Sequence, residues 1–252
     1  MEFDADLAAA YNHTSFAPGD FEQFWCYESA PPLGRIAPDF PLWHLDRDEQ
    51  TTLHAELALR PLTIVEFGSI SCPLSRLACD PLEEIADNYS DEDVGALFIY
   101  THEAHPAENA PVHRNWEDKL AAARWLRQLT NPVRPILVDA LDGACHRAFG
   151  ALPNMVWMFS ERAEPVYKSE WAEPANVEYA LRYQLAFKHD LGEHEAILLG
   201  SSEMVTGPRF DIREHDCIME ESGEKALGDF RNAFGQWPDR VLWPSRMVKP
   251  HG

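Results

Sequence analysis

Basic residues are scarce in this sequence. Its 21 lysines and arginines face 42 aspartates and glutamates, a formal net charge of −21 over 252 residues. Such a chain lacks the cationic face that non-specific nucleic-acid or anionic-membrane binding requires, so neither is expected as a partner. No run of about 20 apolar residues exists, and nothing reads as a membrane span. Met1 to Asp6 offers neither the basic stretch nor the apolar core of a signal peptide. Cysteine is sparse too. Five residues (Cys26, Cys72, Cys79, Cys145 and Cys217) without tight spacing fit a reducing compartment better than a disulfide scaffold, so the expected location is the cytoplasm. A Cys-x-x-Cys redox pair is absent, because Ser75 stands where the second thiol would be. Glycine-rich phosphate loops and dinucleotide fingerprints are also missing, and Gly192 and Gly200 stand alone. Neither His102, His105 and His113 nor His189, His194, His215 and Cys217 follow a zinc pattern, so no metal is expected.

What is present is the composition of an ordinary globular protein, 45% hydrophobic and 25% charged. The chain is organised around Leu62-Thr63-Ile64-Val65-Glu66-Phe67-Gly68-Ser69-Ile70-Ser71-Cys72-Pro73. A β-branched strand empties into a small-residue turn, and Cys72-Pro73 then opens a helix. A thiol there meets unsatisfied N–H groups and the positive end of the helix dipole, which can lower its pKa and make it a nucleophile.

The remaining chain alternates strands and helices. Residues 1–33 are aromatic and acidic, with Asp20 a candidate cap for a short helix over Phe21–Trp25; they are expected to lie across a core or a partner chain. Pro81 is expected to break or kink the helix after Cys72, with Leu82–Tyr89 continuing it. Val94–Tyr100, Pro135–Asp139 and Met155–Phe159 read as strands, and Glu164–Lys168 as a hairpin partner of the last. Trp116–Leu129, Ala144–Phe149 and Val177–Phe187 read as helices. The pattern predicts an α/β sheet with one antiparallel edge. In the tail, 188–252, Glu195–Gly200 and Arg209–Arg213 read as short strands, and the aromatic, proline-punctuated Gly235–Pro244 as a segment packing on the core or a second subunit, with a homodimer possible.

Four segments resemble one known family. Phe67-Gly68-Ser69-Ile70-Ser71-Cys72-Pro73 is similar to the active-site turn of the iodothyronine deiodinases, with Cys72 where the animal enzymes place selenocysteine. Tyr100-Thr101-His102-Glu103-Ala104-His105-Pro106 resembles their Glu-Ala-His loop, and His113 with the helix after it resembles their second histidine. Val138–Cys145 and Phe149–Pro153 resemble the approach to the fold's cis-proline, and Gly34–Phe40 the start of a redoxin domain. Ile70 departs from the family, which usually has cysteine there.

The resemblance implies a thioredoxin-like fold, a mixed central sheet flanked by helices, over residues 34–187, with an N-terminal extension 1–33 and a C-terminal extension 188–252. It implies a thiol-dependent oxidoreductase in which Cys72 attacks a halogen or another electrophilic atom of a small, aromatic or halogenated substrate. No cofactor is bound; an external thiol or a thioredoxin-like reductase restores Cys72. The family's logic gives His105 and His113 to substrate binding or proton delivery and Glu103 to orienting a histidine, with His102 a bystander. Ser69, Ser71 and Ser75 could donate hydrogen bonds to a thiolate, and Pro73 and a cis-Pro153 would border the substrate.

A rival reading is a one-cysteine peroxidase, with Ser69 three residues before Cys72 holding the peroxide and Arg76, Arg134 or Arg147 supplying charge. A third is a non-catalytic redoxin acting as a binding or biosynthetic accessory. Cys79 lies two turns beyond Cys72, about 10 Å along a helix, too far for a disulfide unless the helix unwinds. Cys26, Cys145, Cys217 and an external thiol remain candidates for resolving Cys72.

Overall fold

In the computed structural model, residues 4–17, 19, 22–130, 132–191 and 212–234 are described. Leu62–Gly68 (β3), Val94–Tyr100 (β4) and Ile136–Val138 (β5) form the parallel centre of one sheet. Both faces of this centre are covered, which is why β3 is mostly apolar and every residue in it, Thr63 and Glu66 included, is buried. Pro41–His44 (β1) pairs antiparallel with β5 and with Glu49–Thr52 (β2). On the other side Met155–Ser160 (β6) pairs antiparallel with β3 and with Pro165–Ser169 (β7). The order is β2-β1-β5-β4-β3-β6-β7. Both edges are therefore antiparallel, not one, because the N-terminal hairpin joins the sheet beside β5. This is the thioredoxin-like architecture, a mixed sheet flanked by helices.

One sheet face, carrying Val65, Phe67, Leu97, Ile99, Leu137 and Trp157, packs against Leu53 and Leu57 of Leu53–Leu57 (α2) and Cys145 and Phe149 at Ala144–Ala148 (α5). Tyr27 and Ala30, from the N-terminal segment, complete that layer. The opposite face takes Pro73–Asn88 (α3), Trp116–Thr130 (α4) and Pro174–Leu191 (α6).

The helix α3 runs through Pro81 without a break and continues over Leu82–Asn88, as the continuation of the same element was expected to. Proline removes one backbone hydrogen bond, but Ala78, Cys79, Leu82 and Ile85 on either side of it are all buried against the sheet, which holds the helix together. Cys72 and Cys79 thus stay about 10 Å apart along an intact helix.

The N-terminal segment begins with Ala5–Tyr11 (α1), and the predicted helix near Trp25 is a 3-10 turn, Glu22–Phe24; its proposed cap, Asp20, and Phe21 lie outside the described residues. At the other end, Ile212–Ser222 (α7) and Glu224–Phe234 (α8) are helices. Ile212 and Arg213, expected at the end of a strand, start α7 instead, because buried His215, Ile218, Met219 and Ser222 repeat with helical spacing on a helix that packs against α3 and α8. The expected elements at 195–200 and 235–244 lie outside the described residues.

Candidate active site

Gly68 closes β3 where the chain meets the first turn of α3. A Cβ on Gly68 would fall 1.9 Å from Ser75 Oγ, so a glycine is what lets helix and strand approach this closely. The turn Ser69-Ile70-Ser71 then places Cys72 as the N-cap of α3, with Pro73 at the first helical position, where a missing N–H is no loss. Cys72 N–H donates to Ser69 O at 3.2 Å, and Arg76 N–H donates to Cys72 O at 3.0 Å.

The thiol sits in the expected seat with an unexpected acidity. Cys72 is only 2% exposed. Burial pushes its pKa up to about 12, the amides of Ser75 and Leu74 pulling the other way and the Glu66 and Glu103 carboxylates adding to the rise. The lowered pKa predicted from the helix N-terminus is therefore not found, because desolvation outweighs the amides. Ser75 also differs from expectation. Its hydroxyl donates to Glu66 Oε1 at 2.9 Å, so it serves the strand and reaches the sulfur through its amide.

The loop after β4 grips this turn. Ser71 N–H donates to Glu103 Oε2 at 3.0 Å. Ala104 N–H donates to Ser69 Oγ at 3.1 Å and His105 N–H to Ser71 Oγ at 3.0 Å, so both serine oxygens are acceptors for loop amides. Tyr100 donates its hydroxyl hydrogen to Glu103 Oε1 and accepts Ile70 N–H at 3.3 Å. His113, 3% exposed, places Nε2 3.1 Å from Glu103 Oε1. A carboxylate can only accept, so Nε2 carries the hydrogen and Nδ1, buried and without a hydrogen-bond partner, is left able to take a proton. Burial by itself would raise the Glu103 carboxyl, but His113, the Ser71 amide and Tyr100 outweigh it and hold it below the ordinary value.

His105 joins the site through its backbone. Its ring packs against Phe16 at 4.3 Å and Phe230 at 5.5 Å between centroids, so the N-terminal segment and α8 both cover it. Burial, then the neighbouring His215 and His13, push its pKa well below the usual histidine range. His102, expected as a bystander, is built in: its N–H donates to Tyr11 Oη at 3.3 Å, and its ring meets Tyr11, His13 and His146. Tyr11 Oη in turn lies 2.7 Å from His146 Nδ1, and His146 Nε2 lies 2.9 Å from Leu152 O. A chain of hydrogen bonds thus ties the loop to the residue before Pro153. Among the described residues no group of histidines, cysteines and carboxylates is arranged to hold a metal.

Pro153 follows a trans peptide, not the cis bond the resemblance implied; Gly150 at φ +117° and Ala151 at φ +55° carry the reversal before it. Met155, the first residue of β6, is paired with Phe67, so the turn holding Pro153 enters β6 at the same end of the sheet where the Ser69–Cys72 turn leaves β3. The three arginines named for a peroxidase are all held by carboxylates: Arg76 by Glu221 at 2.6 Å, Arg134 by Glu66 at 2.5 Å and Glu83 at 2.8 Å, Arg147 by Asp142 at 3.5 Å. The five cysteines are free thiols.

Sequence reasoning gave no role in the site to Tyr100, Tyr11 or Glu66. Glu66 had a visible signal, a lone acid inside a buried apolar strand, where it needs partners and has Ser75 and Arg134. The two tyrosines had none, since their roles depend on hydroxyl groups reaching distant segments.

Comparison with known proteins brings in independent findings. A family model described as iodothyronine deiodinase matches residues 22–179. The type I iodothyronine deiodinase of Xenopus laevis is 25% identical over 146 residues, 55% of this chain and 56% of that protein. The thyroxine 5-deiodinase of Sparus aurata is 33% identical over 131 residues, 47% of each chain. The chain spans about half the length of the curated relatives it matches. An uncharacterized conserved protein from Geobacillus kaustophilus, known as a crystal structure, shares the fold at a TM-score of 0.50 and 18% identity, over 70% of this chain and 94% of that one.

Proposed function

The chain belongs to the iodothyronine deiodinase family, and from that premise we propose that it is a thiol-dependent oxidoreductase that removes a halogen from a small aromatic molecule, with Cys72 as the attacking sulfur. The observation that carries this reading is Glu103, which joins the amide before the thiol to the His113 imidazole.

In this reading Cys72 gives its proton to His113 Nδ1, and Glu103 stabilises the resulting imidazolium. The thiolate attacks the halogen in line with the carbon–halogen bond. A sulfur–halogen bond forms, the carbon–halogen pair passes to the ring carbon, and that carbon takes the proton from His113. An external thiol then attacks the Cys72 sulfur, expelling halide and leaving a mixed disulfide. A second thiol restores Cys72 and leaves the reductant oxidised. Two thiols are consumed per halogen. A small thiol or a thioredoxin-like reductase of a reducing cytoplasm fits this role, since Cys79 is two turns away on an intact helix. Ser69, Ser71, Pro73 and Pro153 border the substrate, and the backbone of His105 keeps the loop on the turn.

The test is halide release from an iodinated phenol in the presence of dithiothreitol. Release by the native chain and none by Cys72→Ser is the expected result. Peroxide consumption without halide release would transfer Cys72 to the peroxidase reading, and equal rates for native and Cys72→Ser proteins would leave the accessory reading.

A further inference from the structure

A cavity of about 460 Å³ opens where the N-terminal segment crosses the β6 side of the sheet. Its walls include Trp25, Tyr27 and Glu28 from that segment, Pro153 from the turn before β6, and Glu170 and Trp171 just after β7. Pro153 puts the cavity at the end of the sheet where β3 runs into the Ser69–Cys72 turn, although no residue of that turn is among its walls. Its volume is that of a site for a molecule of one or two rings.

The lining chemistry narrows the ligand. Two indoles and a proline ring offer flat apolar faces of the kind that aromatic rings stack on. Glu28 and Glu170 are exposed residues of the lining. Tyr27 is 8% exposed, and its buried hydroxyl has no hydrogen-bond partner. Burial, and after it the Glu170 charge, push the pKa of that hydroxyl up. A buried hydroxyl without a partner is costly, and a ligand that bonds to it would remove the cost. Lys168 Nζ stands 4.8 Å from the Tyr27 ring centroid and 5.2 Å from that of Trp157, engaged with those faces and outside the lining. The charged groups of the lining are therefore both acids, on a chain of net charge −21.

We infer that this cavity binds a small arylalkyl amine, its ring held by Trp25, Trp171 and Pro153 and its ammonium group by Glu28, Glu170 and the Tyr27 hydroxyl oxygen. The inference rests on the dehalogenation reading only for the halogen on the ring. Binding of the amine is a property of the cavity.

Calorimetry on the full-length Cys72→Ser chain separates the two, because nothing turns over. The probes are 3-iodotyramine, which carries the amine, and 3-(3-iodo-4-hydroxyphenyl)propionate, which carries a carboxylate in its place. The amine is expected to bind about tenfold or more tighter, a difference the double variant Glu28→Gln/Glu170→Gln abolishes. Trp25→Ala is expected to weaken the amine about tenfold. These three side chains are at least partly exposed, so the variants keep the fold, which circular dichroism checks. Equal or tighter binding of the carboxylate, no binding of the amine, or indifference of the amine to all three substitutions would overturn the inference. Amine binding without halide release by the native chain would keep the site and sink the dehalogenase; halide release indifferent to these substitutions would do the reverse.

Discussion

Glu103 Oε2 accepts the N–H of Ser71, the residue before the thiol, at 3.0 Å, while its other oxygen lies 3.1 Å from His113 Nε2. One carboxylate thus sets both the backbone of the nucleophile's turn and the tautomer of the nearby imidazole. It also raises the thiol pKa by its charge.

Those roles pull in opposite directions, and Glu103→Gln exposes them. Losing the negative charge makes Cys72 more acidic, so iodoacetamide alkylation at a fixed pH becomes faster. The amide keeps a single accepting oxygen for three donors, the Ser71 N–H, the Tyr100 hydroxyl and His113 Nε2–H, and has no charge to stabilise an imidazolium, so halide release falls by about 10²-fold or more. Mass spectrometry of alkylated Cys72 and steady-state assays read the two effects on one variant.

Alkylation of the native chain follows from burial. With its pKa pushed up to about 12, Cys72 reacts at pH 7 far more slowly than the exposed Cys217 on α7. The rate rises with pH throughout the range 7 to 10, because the thiolate fraction is still growing there. Time-resolved peptide mass spectrometry gives both curves.

The buried histidines make the fold acid-sensitive. Burial, the largest cause in each, lowers His102, His105 and His146, the last to about 3; the charges of His13, His215, Lys119 and Arg147 act in the same sense. A folded-state pKa below the unfolded value means the unfolded chain binds more protons as pH falls, so stability is full above about 6.5 and is lost below it. Each histidine contributes up to about 1.4 kcal/mol per pH unit. Urea unfolding at pH 7.5 and pH 5.5 is expected to show a large loss at the lower pH, reduced when His102 is replaced by Phe.

Arg134 is held between Glu66 and Glu83 under α3, with its side chain 2% exposed. Arg134→Met leaves the Glu66 carboxylate buried without its cation and is expected to destabilise the chain by about 3–5 kcal/mol. Adding Glu66→Met restores part of that loss, since no buried charge is then stranded. Denaturant curves for the single and double variants measure the difference.

Much of this site was legible because its residues are close in sequence. The apolar run of β3, its small-residue turn and Cys72-Pro73 spell a strand, a reversal and a helix start in order. Glu103, Ala104 and His105 follow β4 directly, and the strand's parallel pairing with β3 brings them to the turn. Burial could not be read in the same way. Cys72 has the neighbours of an acidic thiol, yet its pKa is set by how completely the surrounding segments exclude water. His105 is covered by Phe16 and Phe230, more than 200 residues apart in the chain, and no local pattern announces that contact. The trans bond at Pro153 and the α7 helix starting at Ile212 show the same limit, since a proline or a short alternating run is compatible with more than one backbone until its packing is known.

The central claim is that the Cys72 sulfur takes the halogen. Mixing stoichiometric native protein with an iodinated phenol, with no reductant present, tests it in a single turnover. The account predicts about one equivalent of deiodinated phenol per chain, a reagent-sensitive modification confined to the Cys72 peptide, and no product from Cys72→Ser. Deiodinated product from Cys72→Ser, or a modification on Cys26, Cys79, Cys145 or Cys217 in place of Cys72, would contradict it.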